Sequence, residues 1–498
     1  MRVIRELSNR LKSGTESLFY GGSIRARVFR GGASLGTASV VEQAVRFGRN
    51  MIVARLLAPN AFGTMAILLS ASSLLHTITD IGVREAIIQN PRGTEKRFVN
   101  SAFWLGLLRA CSLACILFIG APWIAQFYGN VELTRLLRVV ALTIIIDSAG
   151  SPLVSIATKN LKFYRLALIN HGGGICGVIL TVIMSYYLRD VWALVLGLTA
   201  ESLCRFVFSY VLYPYWPSLQ WDGEAVRELL KFSRGIAGLS FLNLIFSRTD
   251  IFVMAKLYPA TQLGLYAMAI YLAQTPTSFL MNTLGQTLLP TFSHLQQEGE
   301  RINRILIKVS SLLVFLGLPA LAFAYFCGRS LLTLAYGARY SSGTNALTVA
   351  ALVAVLNLLN AQITTVFYAK GLPQLHRRSV ALMAIIMIIA IYPCAKFFGI
   401  AGGQVACLIA VAVGYVFQLE RVRRITGLSL RRYVKPMLLA SAASLTVVAV
   451  CLSARLFTVP LQPSTNILVG VIGCFIAYVL GGAILLRSSD AEPDGSLP

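Results

Sequence analysis

Apolar residues in this chain gather into runs of about twenty residues, the length that crosses the hydrocarbon core of a membrane as a helix. Strand-like alternation of apolar and polar positions is absent, which argues against a membrane barrel. Backbone groups in lipid need internal partners, so each run predicts a helix. The pattern predicts an all-α polytopic membrane protein with about fourteen transmembrane helices, at 36–57, 61–82, 99–120, 135–157, 166–188, 191–213, 233–256, 261–287, 306–326, 344–368, 378–397, 400–420, 434–455 and 465–486.

Lysine and arginine concentrate in every second connection between these runs, as at 84–97, 159–165 and 227–234. This is the positive-inside pattern, and it places both termini in the cytoplasm. The net charge of +24 therefore reflects topology and attraction to anionic phospholipid. A nucleic-acid partner is not expected, because the basic residues are spread over many connections instead of forming one face.

Composition excludes a soluble enzyme. Hydrophobic residues make up 56% of the 498 positions and charged residues only 13%, about half the charge of a soluble domain. The nine cysteines lie mostly in apolar runs with no CxxC, so we expect packing roles and no metal site. No P-loop or HExxH motif occurs. The sequence predicts a protein that is not an enzyme and has no cofactor.

The predicted organisation has six parts. Segment 214–232, with two prolines and a short charged helix from Asp222 to Lys231, divides the molecule as an amphipathic inter-lobe linker. The other parts are a basic cytoplasmic arm (1–33), an N-lobe (34–213), a C-lobe (233–425), an added helix pair (426–486) and an acidic cytoplasmic tail (487–498).

The two lobes are expected to be copies of one another. Residues 54–67 (ARLLAPNAFGTMAI) match 255–268 (AKLYPATQLGLYAM) at a shift of 201, which pairs Gly63 with Gly264. Because each copy holds an even number of spans, both have the same orientation, and a pseudo-twofold axis along the membrane normal relates them. Two such six-helix lobes would meet at a central cleft.

The first span carries charges that cannot face lipid. Glu42, Arg46 and Arg49 are spaced i, i+4, i+7 and share one helix face, flanked by Gln43 and Asn50. Each charge costs about 2.5–3.5 kcal/mol at the bilayer centre. They therefore face a partner or a wet cavity. One interpretation is a structural ion pair that closes the lobes; the other is a cavity in which the remaining positive charge binds an anionic ligand.

The seventh span carries the corresponding polar residues of the second copy: Asn243, Arg248 and Asp250. Arg248 and Asp250 are two positions apart and point differently around the helix, so they need not pair with each other. Asp250 could form an ion pair with a basic residue of the first span and so lock the two lobes together, or it could contact the substrate. Both interpretations stay open at this stage.

Other buried polar residues give weaker signals. His76 and Asp80 share a face of span two, where His76 could be a proton relay or a hydrogen-bonded packing residue. Glu201 and Arg205, four positions apart in span six, are expected to form a structural ion pair. Gly173 and Gly177 form a GxxxG motif that favours close helix packing. Amide side chains that suit either sugar hydroxyls or helix packing are Asn282, Gln286, Asn357 and Asn360.

Several local motifs resemble one transporter family. They include Ala54–Pro59 followed by Phe62-Gly63, the run Ala121–Tyr128, Asp250, and Gly264-Leu265-Tyr266. On these residues the chain resembles the polysaccharide transporter branch of the MOP superfamily, the Wzx-like oligosaccharide flippases. The resemblance covers roughly residues 34–425 and implies a fold like that of the MATE transporters.

The resemblance also implies a function. Family members move a polyprenyl-diphosphate-linked oligosaccharide between membrane leaflets for exopolysaccharide or lipopolysaccharide synthesis, beside a polymerase and glycosyltransferases. Arg46, Arg49 and Arg248 would then bind the diphosphate. Glu42, Asp80 and Asp250 would be the carboxylates for any H⁺ or Na⁺ coupling. The alternatives are a multidrug/cation antiporter on the same scaffold and a membrane glycan ligase or polymerase, for which the outer connections are short.

Overall fold

The computed structural model describes residues 24–78, 82–160 and 163–441, together with positions 467 and 471. That part of the chain is almost entirely helical and contains no strand, which confirms the all-α prediction. The first 23 residues, Asp80, most of the thirteenth and fourteenth predicted spans and the acidic tail lie outside the described residues.

Short connections join long helices. The helices are α1 (Ile24–Leu56), α2 (Pro59–Ile78), α3 (Val83–Gln89), α4 (Lys96–Tyr128), α5 (Glu132–Ser148), α6 (Leu153–Lys159), α7 (Phe163–Ala167), α8 (Gly173–Leu188), α9 (Val191–Leu212), α10 (Gly223–Leu257), α11 (Ala260–His294), α12 (Gly299–Tyr336), α13 (Thr344–Ala369), α14 (Pro373–Phe398) and α15 (Gly402–Thr426). Residues 430–441 are helical as well. A π-helical turn, Leu168–Gly172, joins α7 to α8.

The chain divides into two compact units. The first unit holds residues 1–57 and 71–240, and the second holds 58–70 and 241–498. In the second unit, α11 packs on α13 and α14 packs on α15. In the first unit the main pairs are α4 with α5 and α8 with α9. The six-plus-six division of the chain stays a prediction.

Seven segments in the described residues are long and apolar enough to cross a membrane, or eight if α5 and α6 form one bent span. The count of fourteen therefore stays a prediction. Helix α1 carries Glu42, Arg46, Arg49 and Arg55 in its last eighteen residues. A membrane helix with that composition must turn its charges toward protein or water.

The inter-lobe linker differs from the prediction in one respect. The expected short helix Asp222–Lys231 is not separate: α10 runs without interruption from Gly223 to Leu257. The helix begins there because Asp222 accepts the backbone N–H groups of Glu224 and Ala225 at its N-terminus. Partial burial alone would raise the pKa of Asp222, but these N–H groups and the Arg92 guanidinium lower it below its ordinary value.

Arg92 fastens the start of α10 to the connection between α3 and α4. Its guanidinium contacts Asp222 at 2.9 Å, Glu224 at 3.2 Å and Glu228 at 3.3 Å. Beneath these ion pairs, Ala225 and Leu229 are fully buried against the apolar side chains of α3 and α4. The first turns of α10 therefore belong to the packed core of the first unit.

The second unit contains a close contact between the two glycines that the repeat pairs. A Cβ added at Gly63 would overlap the carbonyl oxygen of Ala260, and one added at Gly264 would overlap that of Pro59. Each glycine thus meets the carbonyl four residues before its partner glycine. Such a reciprocal contact is what a local two-fold relation produces, and it agrees with the shift of 201 between the two motifs.

Substitution of either glycine tests this contact. We expect Gly63→Ala and Gly264→Ala each to cost about 1–3 kcal/mol, because the new methyl group overpacks against backbone that has no rotamer to change. The measurement is the apparent Tm of the purified protein in detergent. The control is Gly120→Ala, where a Cβ meets no atom within 4 Å and a gain of about 0.5–1 kcal/mol is expected. An unchanged Tm for Gly63→Ala would refute the close contact.

Reporter fusions test the orientation of the connections. Residue 160 lies between α6 and α7, and residue 190 lies between α8 and α9. We expect fusions after 160 and 375 to report a cytoplasmic location and fusions after 190 and 340 a periplasmic one, because basic connections stay inside. A reversed signal at one site would overturn the alternating assignment of the connections.

Candidate functional site

Charged side chains of the first unit meet in a buried network. On α1, Arg46 Nε donates to Glu42 Oε1 at 2.8 Å, an i, i+4 pair on one helix face. The same guanidinium donates through Nη2 to Glu201 Oε1 of α9. Arg205, one turn further along α9, contacts Glu201 Oε1 at 2.6 Å and lies 3.9 Å from Glu42 Oε1. Glu201 is almost fully buried.

His171 completes the network from a third direction. Its Nδ1 contacts Glu42 Oε2, on the side of the carboxyl group away from Arg46. The residue lies in the π-helical turn before α8. Turns of this kind are rare and often occur at functional sites. We call Glu42, Arg46, His171, Glu201 and Arg205 the ion network; its two guanidinium groups balance its two carboxylates.

Glycines at the start of α8 make room for these side chains. A Cβ at Gly174 would stand 2.6 Å from Glu42 Oε1, and a Cβ at Gly173 would stand 2.5 Å from the Cγ of Arg205. A Cβ at Gly177 would overlap Glu201. The GxxxG motif therefore serves the close packing predicted for it, with the aliphatic parts of charged residues lying against its backbone.

The structure brings only part of the predicted span-one set together. Glu42 and Arg46 form the expected pair, and Glu201 and Arg205 form the other. Arg49 lies further along α1, where its Nε donates to Asn50 Oδ1 at 3.1 Å. Arg46 has two carboxylate partners in the network, Glu42 and Glu201. Gln43 is half-buried and Asn50 is buried.

A second polar group lies inside the second unit around Asp250. Tyr266 donates its hydroxyl to Asp250 Oδ2 at 2.7 Å, and the backbone N–H of Ile251 donates to Oδ1 at 2.8 Å. Gln404 Nε2 in turn donates to the Tyr266 oxygen at 3.0 Å. Asp250 is buried, Arg248 is half-buried and Asn243 on the same helix is exposed.

The predicted amides have different surroundings. Asn360 is buried and donates to the carbonyl of Val411 at 3.3 Å, a contact that holds α13 against α15. Asn357 is half-buried. The side chains of Asn282 and Gln286, on α11, lie outside the described part of the chain, as does Asp80. Asn360 thus makes the packing contact that the sequence left open beside sugar binding.

Sequence reasoning missed three members of these groups. His171 gave no signal of its own, although the glycines at 172–174 beside it indicated a close approach. Tyr266 and Gln404 were missed because an aromatic and an amide in apolar helices resemble ordinary packing residues. Within residues 24–78, 82–160 and 163–441, no three His, Cys, Asp or Glu side chains gather as a metal site would require.

Comparison with known proteins places the chain in a family. Residues 52–345 match the profile of a family described as "Polysaccharide biosynthesis protein". The chain is 24% identical over 290 residues to the succinoglycan biosynthesis transport protein ExoT of Rhizobium meliloti. The alignment spans 58% of either chain. With the lipopolysaccharide biosynthesis protein WzxC of Escherichia coli it is 21% identical over 439 residues, covering 86% of this chain and 87% of WzxC.

Two solved structures have a similar fold. The lipid II flippase MurJ, in an inward closed conformation, aligns with a TM-score of 0.75 at 14% identity, over 91% of this chain and 99% of MurJ. An inward-facing MATE multidrug transporter aligns with a TM-score of 0.59 at 12% identity, over 78% and 96%. The predicted family resemblance is confirmed: the chain belongs to the polysaccharide biosynthesis protein family, that of the Wzx-type transporters.

Proposed function

We propose that this chain flips a polyprenyl-diphosphate-linked oligosaccharide from the cytoplasmic to the periplasmic leaflet of a bacterial inner membrane. The repeat unit would then be used for exopolysaccharide or lipopolysaccharide synthesis, in company with a polymerase and glycosyltransferases. The observation that carries the proposal is the match of 91% of the chain to a flippase fold in a family whose members include polysaccharide transport proteins.

The chemistry of such a substrate sets the demands on the protein. A sugar and an anionic diphosphate must cross about 30 Å of hydrocarbon, while the polyprenyl tail can stay in lipid. Charged and amide side chains inside an apolar helical protein lower the cost of that crossing. Alternating access between two helical lobes would expose the path to one leaflet at a time.

Arg46, Arg49 and Arg248 are our proposed contacts for the diphosphate. Guanidinium groups bind phosphate oxygens in pairs through parallel N–H donors. Arg49 and Arg248 are not members of the ion network. Arg46 would have to exchange Glu42 or Glu201 for the ligand, since it contacts both carboxylates. Release of the ligand would restore the neutral network, so the carboxylates would act as competitors that keep binding reversible.

Ion coupling, where transport uses it, is assigned to two carboxyl groups. Glu42 lies between Arg46 and His171, so a proton or a change in its ion pairs would alter the charge of the network. Asp250 is buried beside Tyr266, where a bound H⁺ or Na⁺ would neutralise it. Asp80 stays a third candidate from the sequence.

The two alternatives receive less support. The MATE alignment gives a multidrug antiporter the same scaffold, but the family match is to polysaccharide biosynthesis. A glycan ligase or polymerase would need an outer domain for sugar chemistry. In the described residues the predicted outer connections are short: α4 to α5, α8 to α9, and Gly337–Gly343 before α13. ExoT is named as a biosynthesis transport protein and WzxC as a biosynthesis protein.

A reconstituted assay tests the proposed activity. Purified protein in liposomes should move a fluorescent polyprenyl-diphosphate-linked saccharide from the inner to the outer leaflet, where a membrane-impermeant reagent quenches it. We expect Arg49→Ala to reduce the rate about ten- to a hundredfold, since a lost charge-assisted hydrogen bond costs about 1.5–3 kcal/mol. The matched control is Arg301→Ala, whose exposed side chain pairs with Glu298 at 2.8 Å. Efflux of a cationic dye without saccharide movement would favour the antiporter instead.

A double variant separates ligand binding by Arg46 from a purely structural role. Arg46→Gln leaves the carboxylates of the ion network unbalanced, and we expect it to abolish surface polysaccharide in a strain lacking the native gene. Adding Glu42→Gln removes one of those carboxylates and should restore thermal stability, because an unpaired buried charge is the main structural cost. We expect export to stay absent in the stable double variant. Recovery of export would show that the Arg46 guanidinium only balances its neighbours.

A further inference from the structure

Three large apolar side chains are exposed on the segment between α9 and α10. Trp216 and Leu219 are 88% and 89% exposed, and Trp221 is 58% exposed. Single exposed apolar residues are common on proteins, whereas a cluster of them marks a surface that contacts something other than water. We call residues 214–221 the strap. The ion network and the proposed diphosphate contacts use none of its residues.

The strap is an irregular segment. It contains no helical turn, and Pro214 and Pro217 lack the N–H group that regular structure uses. In the described part of the chain, one backbone–backbone hydrogen bond involves the strap, from the Gln220 N–H to the Ser218 carbonyl at 2.8 Å. Most of its backbone polar groups therefore depend on side chains or on the surroundings of the protein.

Side chains of α4 hold the strap in place within the first unit. Trp104 donates its indole N–H to the Ser218 carbonyl at 3.0 Å. Asn100 Nδ2 donates to Ser218 Oγ at 2.6 Å, and the Tyr215 hydroxyl donates to Asn100 Oδ1 at 2.7 Å. Because Asn100 is buried, these contacts fix which side of the strap faces outward.

The strap crosses the lipid-facing stripe of α4. Helix α4 is long and apolar enough to span a membrane, and its exposed apolar residues include Leu108, Ile116, Ile119 and Trp123. Their spacing of i, i+8, i+11 and i+15 places them on one helix face. Trp104 lies one turn before Leu108 on the same face. The outer surface of the strap therefore continues the surface that α4 presents to lipid.

The depth of the strap follows from the start of α4. The helix begins with Lys96 and Arg97, which are exposed and belong to a basic connection that the charge pattern predicts to be cytoplasmic. Residues 100–104, which hold the strap, lie about 6–12 Å further along the helix axis, at 1.5 Å per residue. The polar layer on each side of the hydrocarbon core is about 5–8 Å thick. The strap is therefore level with the boundary between head groups and acyl chains.

This boundary is also the environment that suits the chemistry of the strap. Irregular backbone does not face the hydrocarbon core, where its polar groups would have no partners. Exposed indole and leucine side chains are unfavourable in water. At the boundary, water and head groups satisfy the backbone while the apolar side chains reach the acyl layer, and tryptophan is enriched there for this reason.

We propose that the strap is an interfacial anchor, in which Trp216, Leu219 and Trp221 insert at the head group–acyl boundary of the leaflet that the charge pattern assigns to the cytoplasm. The partner is the phospholipid surface, which the amphipathic indole rings recognise without a need for charge. Because the strap leads through Asp222 directly into α10, the anchor fixes the height at which α10 begins. The inference concerns the resting protein and does not depend on the proposed transport.

Spin-label accessibility in the full-length protein tests the anchor. Trp216→Cys, Leu219→Cys and Trp221→Cys are made one at a time in a variant whose nine native cysteines are replaced, and each labelled protein is placed in phosphatidylcholine nanodiscs. We expect each label to show a several-fold higher ratio of oxygen to aqueous nickel-complex collisions than a label at Arg227→Cys, an exposed position on the first turns of α10. A label at Leu108→Cys, on the lipid-facing stripe, should show a higher ratio still.

Intrinsic fluorescence gives a second measurement that keeps the native cysteines. The double variant Trp216→Phe/Trp221→Phe removes two of the five tryptophans, and its difference from the unsubstituted protein reports on the strap. We expect this difference signal to be quenched more strongly by lipid brominated near the head group than by lipid brominated near the chain end.

The other outcomes would overturn the proposal. Labels on the strap that meet the nickel complex as often as the label at 227 would place the strap in water. Labels shielded from both oxygen and the nickel complex would show that protein, either a second copy of this chain or a different partner, covers the strap. A difference signal that neither brominated lipid quenches would exclude contact with the bilayer.

Discussion

The first unit depends on keeping charges paired within an apolar helical environment. Glu42, Arg46, Glu201 and Arg205 come from two helices that are far apart in sequence, and their charges sum to zero. Removing one charge would strand another in a medium where an unpaired ion is costly. This requirement fixes how α1 and α9 face each other. The glycines of α8 leave room for these charged side chains, because larger residues there would occupy the space that the network needs.

The ion network is neutral as a whole, and its members share partners. Each guanidinium already contacts, or lies near, two carboxylates, so partners can change without leaving a charge unpaired. Elements with two such arrangements are what ligands act on when they shift a conformational equilibrium. The network is therefore suited to a protein that changes state repeatedly, in a way that an apolar core of the same size would not be.

The helices and the family were predictable from the sequence, while the partners of most buried polar residues were not. Apolar run length predicts α8 or α13 because a helix in lipid satisfies its own backbone. The i, i+4 pairs Glu42–Arg46 and Glu201–Arg205 follow from helical spacing alone. Their joining across two helices depends on tertiary packing, which spacing does not encode. His171 was missed because the π-helical turn that orients it has no simple sequence signature. The prediction divided α10 into a linker helix and a separate span because its polar start and its apolar continuation resemble two elements.

The assignment of residues 58–70 to the second unit has a consequence for how this chain can be divided. Those residues supply Phe62, whose ring lies edge-on to Tyr340 at 6.2 Å, and the fully buried Leu68. A fragment that began at the linker near 214 would contain α10–α15 but not this segment. Its core would be left with uncovered apolar and aromatic surface, and the matching N-terminal fragment would carry a helix without its packing partners. The second unit therefore needs a segment that the chain supplies before residue 71, and split expression would require both fragments in the same membrane.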